Sequence, residues 1–396
     1  LVGDNKITIT ENGTQGVFFY ESNLKVTGSG SLTIDVTGAD TFGNSPFDVS
    51  NYNNRGADDS FILESGNITI KENTQDYAYC LMASEGMTVK GGSLTTDGGN
   101  CSIVCTKGDI SILGGTVNCK NYAGDSGIWS FNGSIIISGN DTTVNVSSLE
   151  KDEYSFGLFV EHEIVPEGNV YISGGNVNIS AGQIAIYADY EGDINISGGT
   201  VNACAENGTD EGLAVGMYAT GSINITGGNV TASGVGNSNI TGVGMYSDTN
   251  IAVSGGNITA QGVTQAISPA PNFTEYANPI ITAAADFDGK DIQEYDEAAV
   301  DSYKYLSVAG KGYAISYDNG KINISSPENV NAYVVLAKYD DLGKLTDIEI
   351  KNIDISLGNN SIIPDHFTFD SGSIKIMLWD SFDSMNQLCE PEDIII

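Results

Sequence analysis

Apolar and polar residues alternate along most of this chain in short runs, and the runs come in matching sets. Ser222 to Gly234 reads "SINITGGNVTASG", and Asp193 to Ala205 reads "DINISGGTVNACA". Alternation with period two over so few residues predicts strands, because a strand turns successive side chains to opposite faces while a helix needs a longer apolar stripe. A third strand-like piece precedes each pair, as "VGMYA" does at 215 to 219. Between the second and third pieces stands a Gly-Gly step, where a residue without Cβ lets the chain turn sharply.

The steps recur at Gly91, Gly114, Gly174, Gly198, Gly227 and Gly255, with a degenerate copy at Gly139, so successive intervals are 23, 25, 35, 24, 29 and 28 residues. A period in this range marks a stacked architecture. Three strands per repeat with no helical segment between them predict an all-β fold: a right-handed parallel β-helix of about nine coils, running from "NKITIT" to "AISP" at Ala266. Stacking assigns the inward columns. Ile110, Ile135, Ile194, Ile223 and Ile251 form one, and Ile112, Ile137, Ile196, Ile225 and Val253 another. After the turn come Val117, Val177, Val201, Val230 and Ile258, then Cys119, Ile179, Ala203, Ala232 and Ala260, with Cys204 beside them. Between those two columns an outward polar ladder carries Asn118, Asn178, Asn202, Thr231 and Thr259. Loops are expected near residues 39 to 59, 149 to 168 and 206 to 213, and "YKYLSV" at 303 to 308 reads as the last strand.

From about Gly310 the repeat stops. "AYVVLAKYDDLGKLTDIEIKNIDISL" places a hairpin turn, Asp340-Asp341-Leu342-Gly343, between two alternating runs. The expected division is a β-helix over residues 1–309 and a small antiparallel β-sandwich over 310–396.

Charge narrows the function classes. Sixteen Lys and Arg against 51 Asp and Glu give a net charge of -35, which repels phosphate backbones and anionic lipid headgroups. Nucleic acid is therefore not an expected partner. Apolar runs fall far short of the roughly 20 residues of a membrane helix, so no membrane insertion is expected. The chain opens on Leu1 with neither an initiator Met nor a leader-type apolar segment, as a mature or trimmed secreted chain would. Its six cysteines lack metal-type spacing and read as core thiols.

Two resemblances rest on these residues. The "ISGGxVx" coils, with "GADDS" at Gly56 to Ser60 leading into "FILESGNITI", resemble a family of secreted bacterial carbohydrate-binding β-helix proteins. That resemblance covers roughly residues 1 to 309 and implies binding of plant polysaccharides, acidic ones included, and uptake of calcium. "KIMLWDSFDSMNQLC", Lys375 to Cys389, resembles the closing motif of a sandwich domain found on clostridial and related gut-bacterial secreted proteins, which implies an extracellular or cell-surface location.

Parallel β-helices also include pectin-degrading lyases and hydrolases, so catalysis is weighed. Arg55, the chain's single arginine, stands beside Asp58 and Asp59 and could act as a lyase base; pairing with those carboxylates is the favoured reading. A hydrolase needs clustered carboxylates, and the ladder offers Asn and Thr instead. "EHE" at Glu161 to Glu163 reads as an acidic loop, and His366 belongs to the other domain. Calcium, as a possible cofactor, wants several oxygen ligands; its candidates are Asp40, Asp58, Asp59, Asp286, Asp288 and Asp291. For sugar contact, Phe19, Phe159, Tyr187, Tyr218 and Tyr246 align on the first strand of successive coils, with Met82, Cys105 and Ser130 completing the column. Rings about 4.8 Å apart could stack on sugar faces if exposed; the alternative is that they lie covered.

The expected function is that of an extracellular, non-catalytic carbohydrate-binding or adhesion protein presenting an elongated sheet face to a polysaccharide. On this reading an acidic glycan needs bridging calcium and a neutral one does not. The rivals are a pectin-degrading enzyme and a structural surface stalk.

Overall fold

The computed structural model describes every residue except 10–16, 20–22, 37–44, 50–59, 73–78, 122–124, 149–154, 162–167, 207–211, 237–239, 274–278, 310–312, 319–320, 327–329, 341–342, 356–357, 366, 368–372, 382–386, 390 and 396. Two compact units emerge. The first comprises Leu1–Tyr276 and Ile281–Val308, and the second Ala277–Ile280 and Ala309–Ile396.

The first unit is built of parallel strands that each pair with their counterparts one repeat away. In a representative repeat, Gly212–Ala219 lies between Ile184–Ala188 and Ile240–Ser247 in a ten-stranded parallel sheet. Ile223–Ile225 then pairs with Ile194 to Ile196 and Ile251–Val253, and Asn229–Val235 pairs with Thr200 to Glu206 and Asn257–Gly262. The short and long strands belong to one twenty-stranded sheet because Val170–Ala181 and Ile194–Glu206 each run through the turn without a break. This is the arrangement of a parallel β-helix.

Glycine pairs mark the turn for two different reasons. The second glycine is left-handed, as at Gly199 (φ +84°) and Gly228 (φ +89°), a region closed to most side chains. The first lies against the backbone of the neighbouring repeat: a Cβ on Gly227 would stand 2.5 Å from the carbonyl oxygen of Ser197. One position excludes a side chain by conformation and the other by space.

The inward columns are as the alternation predicts. Ile110, Ile135, Ile194, Ile223 and Ile251 are fully buried in register, as are their partners two residues on. Cys119 is buried among them, whereas Cys204 turns outward on the next position and is half-buried. The expected core role therefore fits Cys119 and fails for Cys204, because the latter is one residue past the inward alanine, Ala203. Strands Phe47–Val49 and Phe156–Val160 lie in stretches expected to be loops, and both join the ten-stranded sheet. Their signal is hidden because the Gly-Gly marker separates the other two strands of a repeat. Strand Tyr305–Ala309 closes the unit by pairing antiparallel with Asn257–Gly262.

In the second unit an antiparallel three-stranded sheet and an antiparallel four-stranded sheet share one core. Ile315, Ile322 and Ile324 from the first meet Val334, Leu336, Ile374, Ile376 and Leu378 from the second. The turn expected before Lys344 is present: Asp340 accepts hydrogen bonds from the backbone N–H of Gly343 and of Lys344, at 2.8 and 2.9 Å.

Candidate functional site

The long strands, those following each glycine pair, present a ladder of amides and hydroxyls. Thr95, Asn118, Asn145, Asn178, Asn202, Thr231 and Thr259 stand opposite one another in successive repeats. Sequence alignment on the glycines passes over Asn145, whose repeat lacks the pair. The amides bond along the ladder: Asn145 donates to Oδ1 of Asn118 at 2.8 Å, Asn178 to Asn145 at 3.0 Å, and Asn202 to Asn178 at 2.9 Å. A primary amide has two N–H donors and two acceptor lone pairs. Since each internal rung spends one of each on its neighbours, one of each remains for a ligand.

A groove of about 370 Å³ opens over this face, with Thr95, Asn118, Asn145 and Asn178 in its lining. Two residues further along the same strands, Asp97, Lys120, Ser147 and Ser180 form a second lining row. These side chains are placed by strand geometry, not by loops. Their spacing of about 4.8 Å per repeat is close to the length of one pyranose ring along a chain.

The ten-stranded sheet carries the aromatic column, and its register differs from the expected one. Tyr187 pairs with Tyr218, and Tyr218 with Tyr246; in the other direction come Phe159, Trp129, Val104 and Met82. Trp129 is the member that alignment misses. Cys105 and Ser130 stand one residue on, in the inward row of Ala188 and Ala219, and both are fully buried. Phe19 also leaves the column: it packs on the central core, its ring 5.6 Å from that of buried Phe47. The slip arises at a corner where alternation fails. Gly157 faces inward immediately before inward Leu158, since a Cβ on Gly157 would meet Ile179 at 2.1 Å.

The rings stack on each other. Phe159 and Tyr187 lie 5.1 Å apart at 8°, Tyr187 and Tyr218 5.0 Å apart at 23°, and Trp129 and Phe159 5.9 Å apart at 17°. Tyr246 meets Tyr218 edge-on. Phe159 is only 7% exposed, and Phe156, Ile184, Val215 and Val243 flank the ladder as a second buried cluster. The tyrosines are half-buried. Ring faces used internally are closed to sugar, so edges and hydroxyl tips are what the ladder can offer. Tyr218 donates its hydroxyl to the carboxylate of Asp248 at 3.3 Å. Burial, then the charge of Asp248, pushes this phenol up to about 12, and burial with Asp189 raises Tyr187 well above the usual phenol range. Both stay neutral donors at any physiological pH. The aromatic and polar ladders thus lie on different sheets, not on one face.

Other candidates are more scattered. Arg55, Asp58, Asp59, Asp40, His162, Glu163 and His366 lie outside the described residues. Asp286 accepts from the backbone N–H of Lys290 (2.8 Å) and Asp291 (3.1 Å), bonds that hold its carboxyl below the usual range. Asp288 pairs with Lys290 at 2.6 Å. The Asp286 carboxylate therefore holds the turn that runs on to Asp291. Among the described residues no three His, Cys, Asp or Glu gather to hold a metal ion.

The sequence matches the family described as carbohydrate-binding domain-containing protein over residues 57–266, more than half of the chain. Both ladders fall mostly or wholly within that span. No curated protein and no solved structure matches the chain.

Proposed function

Since the chain belongs to the carbohydrate-binding domain-containing family, we propose that it holds a polysaccharide without chemistry, on the long-strand face with its Thr and Asn ladder. The observation that carries this reading is the bonded amide ladder, Asn118 to Asn202, whose rungs Asn118, Asn145 and Asn178 line a groove and which leaves a donor and an acceptor on each internal rung. Such a surface pairs with sugar hydroxyls, which also donate and accept. The rungs are fixed by the sheet before the ligand arrives, so little ordering entropy opposes binding. A chain lying across the repeats would gain contacts with every added sugar.

The aromatic ladder serves this proposal as support. Its stacked rings stiffen the ten-stranded sheet, while Tyr187, Tyr218 and Tyr246 offer hydroxyl tips as a secondary contact. Work outside the cell, in attachment to plant or other surface polysaccharide, fits the acidic surface and the burial of Cys80, Cys101, Cys105 and Cys119.

The test is affinity electrophoresis through gels loaded with plant polysaccharides, comparing wild type with Asn145→Ala/Asn178→Ala. Retardation that disappears in the variant supports the ladder as the site. Equal retardation of the two proteins would remove it, and release of reducing ends or unsaturated product would show an enzyme.

A further inference from the structure

The charge pattern of the long-strand face narrows which polysaccharide it takes, an inference that rests on the carbohydrate reading above. The second outward row changes character along the unit. Asp97 and Lys120 occupy neighbouring rungs, and the row then turns neutral through Ser147, Ser180, Cys204 and Ser233. Lys120 is the single cation in the groove's lining, and it stands opposite Asp97. No lysine or arginine occurs between Lys151 and Lys290, so the neutral stretch has no cation of its own strands to call on.

A carboxylate only accepts hydrogen bonds, whereas a hydroxyl donates as well. The ladder presents carbonyl oxygens and hydroxyls alongside its N–H groups, and every acceptor turned toward a uronate carboxylate would be left facing a second acceptor. Removing that carboxylate from water without a cation partner is costly, and a chain of net charge -35 repels polyanions from a distance. A neutral sugar meets neither penalty. Neutral polysaccharides also need no cation bridge.

We propose that the face selects neutral polysaccharide over polyuronate, that it does so without calcium, and that Ser147 and Ser180, the neutral members of the row in the groove's lining, set this preference. The experiment runs the intact protein through gels containing a mixed-linkage β-glucan, a xylan, a galactomannan or polygalacturonate, each with calcium and with chelator. A second protein, Ser147→Lys/Ser180→Lys, adds two cations at half-buried positions of the row that line the groove. Wild type is expected to bind at least one neutral polymer at least tenfold more tightly than polygalacturonate, whether calcium is present or not. The lysine variant should gain polygalacturonate binding that weakens as salt is raised. Polygalacturonate bound as tightly as the neutral polymers, or bound once calcium is added, would overturn the selectivity while leaving the carbohydrate reading intact. Retardation by none of the four polymers would remove the carbohydrate reading, and the selectivity with it. Failure of the lysine variant to gain polyuronate, with its thermal midpoint near that of wild type, would remove the serine row as the determinant.

Discussion

Two ladders run the length of the same stack of repeats and make opposite use of their outward positions. On the ten-stranded sheet, Trp129, Phe159, Tyr187 and Tyr218 turn their faces to one another and so cover them. On the long strands, Asn118 to Asn202 bond edge to edge and keep a donor and an acceptor per internal rung in reserve. Repetition at one spacing therefore does not make a binding surface. What decides is whether neighbouring rungs consume all of a side chain's interacting surface or only half of it.

The comparison breaks most sharply if the aromatic ladder is cut. Phe159→Ala removes a ring that is 7% exposed and stacked on both sides, and a loss of about 3 to 5 kcal/mol is expected from chemical denaturation. Glycan affinity of the protein that remains folded should be unchanged; a small stability loss together with lost binding would exchange the roles of the two ladders. Gly228→Ala is next, at about 1 to 3 kcal/mol. It puts a Cβ on a left-handed residue 2.8 Å from the carbonyl oxygen of Gly199 and strains the turn that leads into a long strand of the polar ladder. Asn145→Ala/Asn178→Ala should cost about 1 kcal/mol of stability per lost bond yet at least tenfold in affinity, read by denaturation and affinity electrophoresis on one preparation.

A smaller effect sharpens the contrast through pH. Tyr187 and Tyr218 hold their protons more tightly when folded, with Tyr218 near 12 against 10.0 for an ordinary phenol. The unfolded chain loses these protons first, so the stability they contribute is intact below about pH 10 and falls as pH climbs toward 12. Denaturation midpoints should decline over that window, and less steeply in Tyr218→Phe; matching profiles for the two proteins would remove Tyr218 from the ladder's energetics.

Much of the parallel stack was legible in the sequence because its causes are local. Isoleucine at alternate positions specifies the inward columns, and glycine pairs specify the turns. The polar ladder was legible for the same reason from Asn118 onward, apart from Asn145, whose repeat carries the lone Gly139; Thr95, the rung before Asn118, went unread. The aromatic column was read one residue out at Phe19, Cys105 and Ser130. At the corner of the ten-stranded sheet two consecutive residues face inward, as Gly157 and Leu158 do, so counting by twos from either side gives different answers. Nor could the sequence tell that the rings would stack on each other, because that depends on residues 28 to 31 apart along the chain coming into register. Phe159 was placed on a strand, yet the stretch around it, 149 to 168, read as a loop because neither end of Phe156–Val160 carries the glycine marker.

The central claim, that the amide ladder binds and the ring ladder supports, is tested most directly by measuring polysaccharide affinity for two variants side by side. Asn145→Ala/Asn178→Ala strips the polar rungs, and Tyr187→Phe/Tyr218→Phe keeps the rings while removing their hydroxyl tips. The account predicts that the first loses at least tenfold in affinity and the second stays within about threefold of wild type. Loss in the tyrosine variant with full binding by the asparagine variant would contradict it.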